Sequence, residues 1–135
     1  MKLGRFFRDG QEHLSVLVDG DAQVLDLSSA QAARVSSVSA PLYMETLIAG
    51  GSAALELVHQ LRDWALQRRD PSWLQPVADV HWGLPVPARS VLCAGRNFGR
   101  HKDESLSYWK QQGASGIHFE FPSGFVKLAH TLVPH

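Results

Sequence analysis

Two Asp-Gly dipeptides set the layout of the first part of the chain. Asp9-Gly10 and Asp19-Gly20 separate three β-compatible runs, at residues 2–8, 12–18 and 22–27. The middle run alternates, with Leu14, Val16 and Val18 on one side. Asp-Gly between alternating runs is a strong short-range hairpin signal, because glycine accepts the positive φ that a tight turn needs. Two such signals in succession predict a three-stranded β-meander.

Helical patterning follows. Residues 28–40 are rich in Ser and Ala and only weakly periodic. Pro41 is placed to start a short helix through Ile48, stopped by Gly50-Gly51. A longer helix is expected from about 52 to 69, with Ser52 as a candidate N-cap. Ala54, Leu57, Val58, Leu61, Trp64 and Ala65 recur at helical spacing, and core packing explains them. Arg68-Arg69 suit the negative C-terminal end, and Asp70-Pro71 ends the helix.

Proline then interrupts the pattern. Pro76, Pro85 and Pro87 fall within residues 76–89. Proline at this density removes ladder donors, so the segment reads as a connector or an edge strand, with a domain boundary inside it. Beyond it, residues 90–94 read as a short buried strand leading to a turn at Gly95. Residues 100–112 are helix-compatible and end at Gly113. Residues 117–121 alternate like a strand, Pro122-Ser-Gly124 turns the chain, and 125–129 resume in β. A final strand needs a partner, either residues 90–94 or further chain.

Composition excludes several classes. Lys+Arg and Asp+Glu are equal at 13 each, so charge gives no reason to expect a nucleic acid or an anionic membrane as partner. One cysteine, Cys93, excludes an intramolecular disulfide and a Cys-rich zinc site, and a buried inert thiol is its expected state. The first residues carry charges where a signal peptide needs an apolar core, and no apolar run approaches the roughly 20 residues of a membrane span. The expectation is a cytoplasmic protein.

The chemistry concentrates in residues 91–104. A strand ending at Gly95 puts Arg96 and Asn97 at its carboxyl end, where open sheets commonly hold ligands. Three positions separate His101 from Glu104, so a helix would place them on one face. A carboxylate beside an imidazole orients it and raises its basicity, as a general base needs. Arg96 has the fork geometry to hold a substrate carboxylate. On spacing alone, a solvated helical pair explains His101 and Glu104 better than a dyad does.

The run Val91-Leu-Cys-Ala-Gly-Arg-Asn-Phe-Gly-Arg-His101-Lys-Asp-Glu104 resembles the hallmark of the fumarylacetoacetate-hydrolase (FAH) family. That hallmark is a hydrophobic strand, then Gly-(Arg/Leu/Lys)-Asn-Tyr, then His and, three residues later, Glu. Phe98 stands where Tyr is usual. The lead-in Leu84-Pro-Val-Pro and the later Phe125-Val-Lys127 also resemble the family's pattern, as does the N-terminal β-meander. The resemblance implies an α+β protein, with an FAH-type N-terminal domain at 1–80 and the beginning of a mixed β-sandwich catalytic domain at 84–135. It implies a C–C hydrolase of a β-diketo or 2-oxo acid, of fumarylacetoacetate or acylpyruvate type, homodimeric when full-length. His101 would be the base activating water and Glu104 its orienting partner. Arg96 and Lys127 would contact substrate. Decarboxylases, isomerases and hydratases of the family share the dyad, and a non-catalytic N-terminal interaction module is the rival from another class.

The family also implies Mg²⁺ or Mn²⁺, held by a Glu-x-Glu pair and a later Asp. No Glu-x-Glu occurs in this sequence, so the metal site is expected to be missing and the chain to be a fragment, inactive alone. A half-built catalytic domain would expose apolar edge around Phe119, Phe121, Phe125 and Val126 and self-associate. His118, Glu120, His130 and His135 form a second, weaker candidate for a transition-metal site, without closed ligand spacing.

Overall fold

A computed structural model of the chain describes residues 1–34, 42–95, 98–115 and 123–134. They form an α+β structure, and the chain divides into two compact units. One takes in Met1–Pro87 and the last residues from Val133 on; the other is Ala88–Leu132.

The first unit is built on a five-stranded antiparallel sheet. Its strands are β1 (Leu3–Arg8), β2 (Gln11–Val18), β3 (Gln23–Asp26), β4 (Leu74–Pro76) and β5 (His81–Trp82), in the order β4-β3-β2-β1-β5. Both Asp-Gly signals are turns. Asp9 and Gly10 adopt φ of 52° and 73°, and the pairing of Arg8 with Gln11 leaves only these two residues in the loop. Two successive left-handed residues give the turn whose twist matches that of the flanking strands. Asp19, Gly20 and Asp21 are also left-handed, so the second turn is wider. The proline-rich stretch supplies both edges: Pro76 ends β4, and β5 is two residues long. Proline without an N–H is tolerated at an edge.

The Ser/Ala-rich stretch after β3, whose periodicity is weak, begins with a helix, α1 (Leu27–Arg34). Its start is fixed by Asp26, whose carboxylate accepts the Ser29 N–H at 2.9 Å. Residues 44–68 form α2 (Met44–Arg68), broken at Gly51, where φ is 56° and ψ is −138°. The two expected helices are therefore the two halves of this element. The first begins at Met44, and Pro41 lies outside the described residues. Arg69, with φ of 48°, ends the second half as a left-handed cap.

Alternation in β2 and the helical stripe of α2 meet in one core. Leu14, Val16 and Leu25 from the sheet pack with Ala30 of α1 and Val58 and Leu61 of α2. Each is at most 5% exposed. Burying one such side chain contributes roughly 1.5–3 kcal/mol for the larger residues. Trp64 closes the end of α2 by stacking on Trp73, with ring centroids 5.3 Å apart, and the Arg68 guanidinium lies over its ring.

The second unit, among the described residues, holds β6 (Val91–Gly95), α3 (Gly99–Gln111), β7 (Ser123–Lys127) and a short 3₁₀ turn (Ala129–Thr131). β7 pairs backwards onto β6, from Val91 opposite Lys127 to Gly95 opposite Ser123. The expected buried strand is corrected here: Leu92 is 82% exposed, and Cys93 is half-buried rather than buried. A two-stranded ribbon covers neither of its own faces, and here burial alternates along β6 between half-buried and exposed without any residue becoming fully buried. Phe125 and Val126 are exposed, while Phe119, Phe121 and the expected strand at 117–121 lie outside the described residues. Among the described residues, no helix is long and apolar enough to cross a membrane.

The backbone at Gly51 is one that side chains other than glycine rarely adopt. Gly51→Ala should therefore destabilise the fold by about 1–3 kcal/mol in urea unfolding. An unchanged midpoint would contradict the observed conformation. A second prediction concerns Asp70, which ends the turn into the 3₁₀ segment Pro71–Trp73. Its carboxylate accepts the Ser72 hydroxyl at 2.6 Å and the Ser72 N–H at 2.9 Å, and these bonds lower its pKa below the ordinary 3.8. A lowered folded pKa stabilises the fold above the unfolded value, and that contribution is lost as pH falls through the lowered one. Carboxyl NMR titration should place the Asp70 midpoint below 3.8; a midpoint at or above it would contradict the assignment.

Candidate functional site

Helix α3 carries two of the residues that the sequence singles out, His101 and Glu104. Phe98 caps it in an extended conformation, without a side-chain hydrogen bond, and Gly113, at φ of 79°, lies just beyond its end. None of its residues is buried. His101 and Glu104 share a face, as three-residue spacing requires. Their contact is loose: His101 Nδ1 lies 3.9 Å from Glu104 Oε2, beyond hydrogen-bond range. The other Glu104 oxygen accepts from Arg100 Nε at 3.1 Å. The carboxylate is thus divided between a guanidinium and the imidazole, and all three side chains are more than half exposed. A solvated pair of this kind contributes at most about 1 kcal/mol.

The expected substrate contacts are Arg96 and Lys127. Arg96, with Asn97, lies outside the described residues. Lys127 pairs with Val91, at the end of the ribbon opposite Gly95. Four residues of strand separate those ends by roughly 13 Å. The Lys127 ammonium sits 5.9 Å from the centre of the Phe125 ring. Among the described residues, no group of three or more His, Cys, Asp or Glu could hold a metal ion. Of the weaker metal candidates, His118, Glu120 and His135 are outside the described residues, and His130 is exposed.

Sequence reasoning missed the histidine–carboxylate pair that is best formed among the described residues, which lies in the first unit. Asp26 is fully buried, and His13 Nδ1 lies 3.1 Å from its Oδ1 and 2.9 Å from its Oδ2. Nδ1 must carry the proton to bond a carboxylate. Arg8 donates to the same group at 2.9 Å, and Ser29 gives it both its N–H and its hydroxyl. With these donors converging on it, Asp26 has no free lone pair facing solvent. Its work is to cap α1 and tie it to β1 and β2, so the tighter pair is the structural one. The Asp26-Leu-Ser-Ser29 pattern at a strand end is the signal that could have found it.

Comparison with known proteins gives a distant relative. The chain is 25% identical over 123 residues to oxaloacetate tautomerase YisK of Bacillus subtilis strain 168. The match covers 88% of this chain and 38% of that protein, so the chain spans well under half of its relative's length. No protein-family model matches the chain. The relative is a member of the FAH superfamily, and the likeness supports, at a distance, a relation to that superfamily and to enzymes of that kind.

The two carboxylates should respond oppositely to removal. Asp26→Ala leaves Arg8 and His13 without their buried partner and should destabilise by about 3–5 kcal/mol. Glu104→Ala should change stability by no more than about 0.5 kcal/mol. Chemical denaturation of both variants checks this, and similar losses in the two would contradict the assignment of roles.

Proposed function

We propose that the protein carrying this chain moves a proton on a 2-oxo acid, interconverting keto and enol forms of an oxaloacetate-like dicarboxylate. The likeness to an oxaloacetate tautomerase over 88% of the chain carries this reading. The geometry adds His101 and Glu104 on one exposed helix face, reachable by a small substrate.

In this reading the imidazole of His101 takes the proton from the carbon next to the keto group. The C–H electron pair becomes the new C=C bond, and the carbonyl π electrons move onto oxygen. Protonation of that oxygen, by imidazolium or water, completes the enol. Glu104 is the orienting partner: a side-chain rotation that releases Arg100 brings its carboxylate to the imidazole and stabilises the charge formed there. Arg96 is proposed to hold a substrate carboxylate through two parallel hydrogen bonds. Lys127 has no step in this reaction. The described residues supply no ligand set for Mg²⁺ or Mn²⁺. The alternative on the same dyad is hydrolysis of a carbon–carbon bond in an acylpyruvate-type substrate, where His101 would deprotonate water.

Decay of the ultraviolet absorbance of enol-oxaloacetate, with Mg²⁺ or Mn²⁺ supplied, tests the proposal. The protein should accelerate the decay, and His101→Ala should lower the acceleration by at least about a hundredfold. Cleavage of acetylpyruvate with no effect on oxaloacetate would replace tautomerisation by hydrolysis. Activity that His101→Ala leaves intact would remove the dyad from either mechanism.

A further inference from the structure

Arg5 is an unusual residue in the first unit. It sits in the middle of β1 and is 6% exposed, yet it carries a permanent charge. Its guanidinium forks: Nη2 donates to Glu12 Oε2 on β2 at 2.7 Å, and Nη1 donates to the carbonyl oxygen of Leu84 at 2.6 Å. Its Nε is buried without a partner. A buried arginine that leaves one donor unmet is a costly way to stabilise a sheet, since an apolar residue of similar size would serve as well. What an apolar residue could not do is grip the Leu84 carbonyl.

The surroundings are shaped to bring the Trp82–Leu84 segment against β1. Trp82 pairs with Phe6, and the Gly83 N–H donates to the Arg5 carbonyl at 2.8 Å. A Cβ on Gly4 would stand 2.5 Å from the Trp82 ring, and one on Gly83 would stand 2.8 Å from the Phe7 ring. Both glycines are therefore needed for the approach. Pro85 and Pro87 lack N–H groups, so the ladder has little means of continuing. Among the described residues, the Arg5–Leu84 bond is the last hydrogen bond on this segment before the tether that leads to β6.

We propose that Arg5 is a positioning residue whose buried fork pins the Leu84 carbonyl and so fixes the point at which the tether leaves the sheet. Glu12 is its counter-charge, and it aims the fork. Lysine at this position would keep the charge beside Glu12 but could not span both acceptors. Replacing both partners by apolar residues, as in Arg5→Met with Glu12→Leu, would keep the sheet packed and remove the pin without leaving a lone buried charge.

The test is hydrogen exchange at the Gly83 amide, together with the rate of tryptic cleavage after Arg89, in the full 135-residue chain. Loss of a hydrogen bond to a charged group should raise both rates by about tenfold or more in Arg5→Lys. The amides of Val16, Leu25 and Val58 should keep their protection. The Arg5→Met/Glu12→Leu variant should show the same local loss with core protection retained, and it serves alone if Arg5→Lys does not fold. Unchanged rates at Gly83 and Arg89 in a folded variant would overturn the proposal. So would a parallel rise at every amide, which would make Arg5 a general stabiliser of the sheet.

Discussion

The buried carboxylate of Asp26 is the interaction on which the first unit depends. Four elements meet at it: β1 through Arg8, β2 through His13, β3 through Asp26 itself and α1 through Ser29. Taking such a charge out of water is unfavourable unless the lone pairs are met, and here donors converge on both oxygens. The bond to the Ser29 N–H starts α1 directly after β3, which lays that helix over the sheet. The apolar stripe of α2 then has a surface to pack on. Without the cap, Leu27 and Ala30 would lose the geometry that buries them.

Nothing comparable organises the second unit among the described residues. Its ribbon exposes Leu92, Phe125 and Val126, and α3 buries no side chain. His101 and Glu104 are therefore held by helix geometry alone, and Arg100 competes for the carboxylate. Local spacing is enough to bring two groups onto one face. It is not enough to fix their rotamers, which needs a packed shell around them. The two histidine–carboxylate pairs show the difference: the pair at Asp26 is locked by packing and donors, and the pair on α3 is left free to reorient.

The sequence was legible where the signal is local. The Asp-Gly pairs specified both turns of the meander, and Gly50-Gly51 marked the break in α2. Residues 100–112 and Gly113 fixed α3 almost to the residue. Legibility failed where the determinant is tertiary. The helix at Leu27–Arg34 has weak periodicity; its local cap signal is Asp26-Leu-Ser-Ser29, but the burial of that carboxylate between Arg8 and His13 depends on the sheet. Two-residue β5 is too short for any pattern, and its place beside β1 depends on Gly4 and Gly83 admitting two aromatic rings. The strand at 91–95 is apolar in sequence, yet Leu92 and Ala94 are exposed and the other three residues only half-buried, because hydrophobicity records the need for a covering layer without supplying one. For the site, spacing placed His101 beside Glu104 as a solvated pair, and the i,i+4 spacing of Arg100 and Glu104 was there to be read, while the 3.9 Å gap and the division of the carboxylate came from the structure.

Small oxo acids are proposed to be met at the head of α3 and not at the Asp26 cluster. Amide NMR of the chain during titration with oxalate, a planar mimic of the enolate end of such a substrate, addresses it directly. Shift changes should concentrate between Gly95 and Glu104 and weaken in His101→Ala, with His13 and Asp26 unmoved. Changes centred on His13 and Asp26, or none at the head of α3, would contradict it.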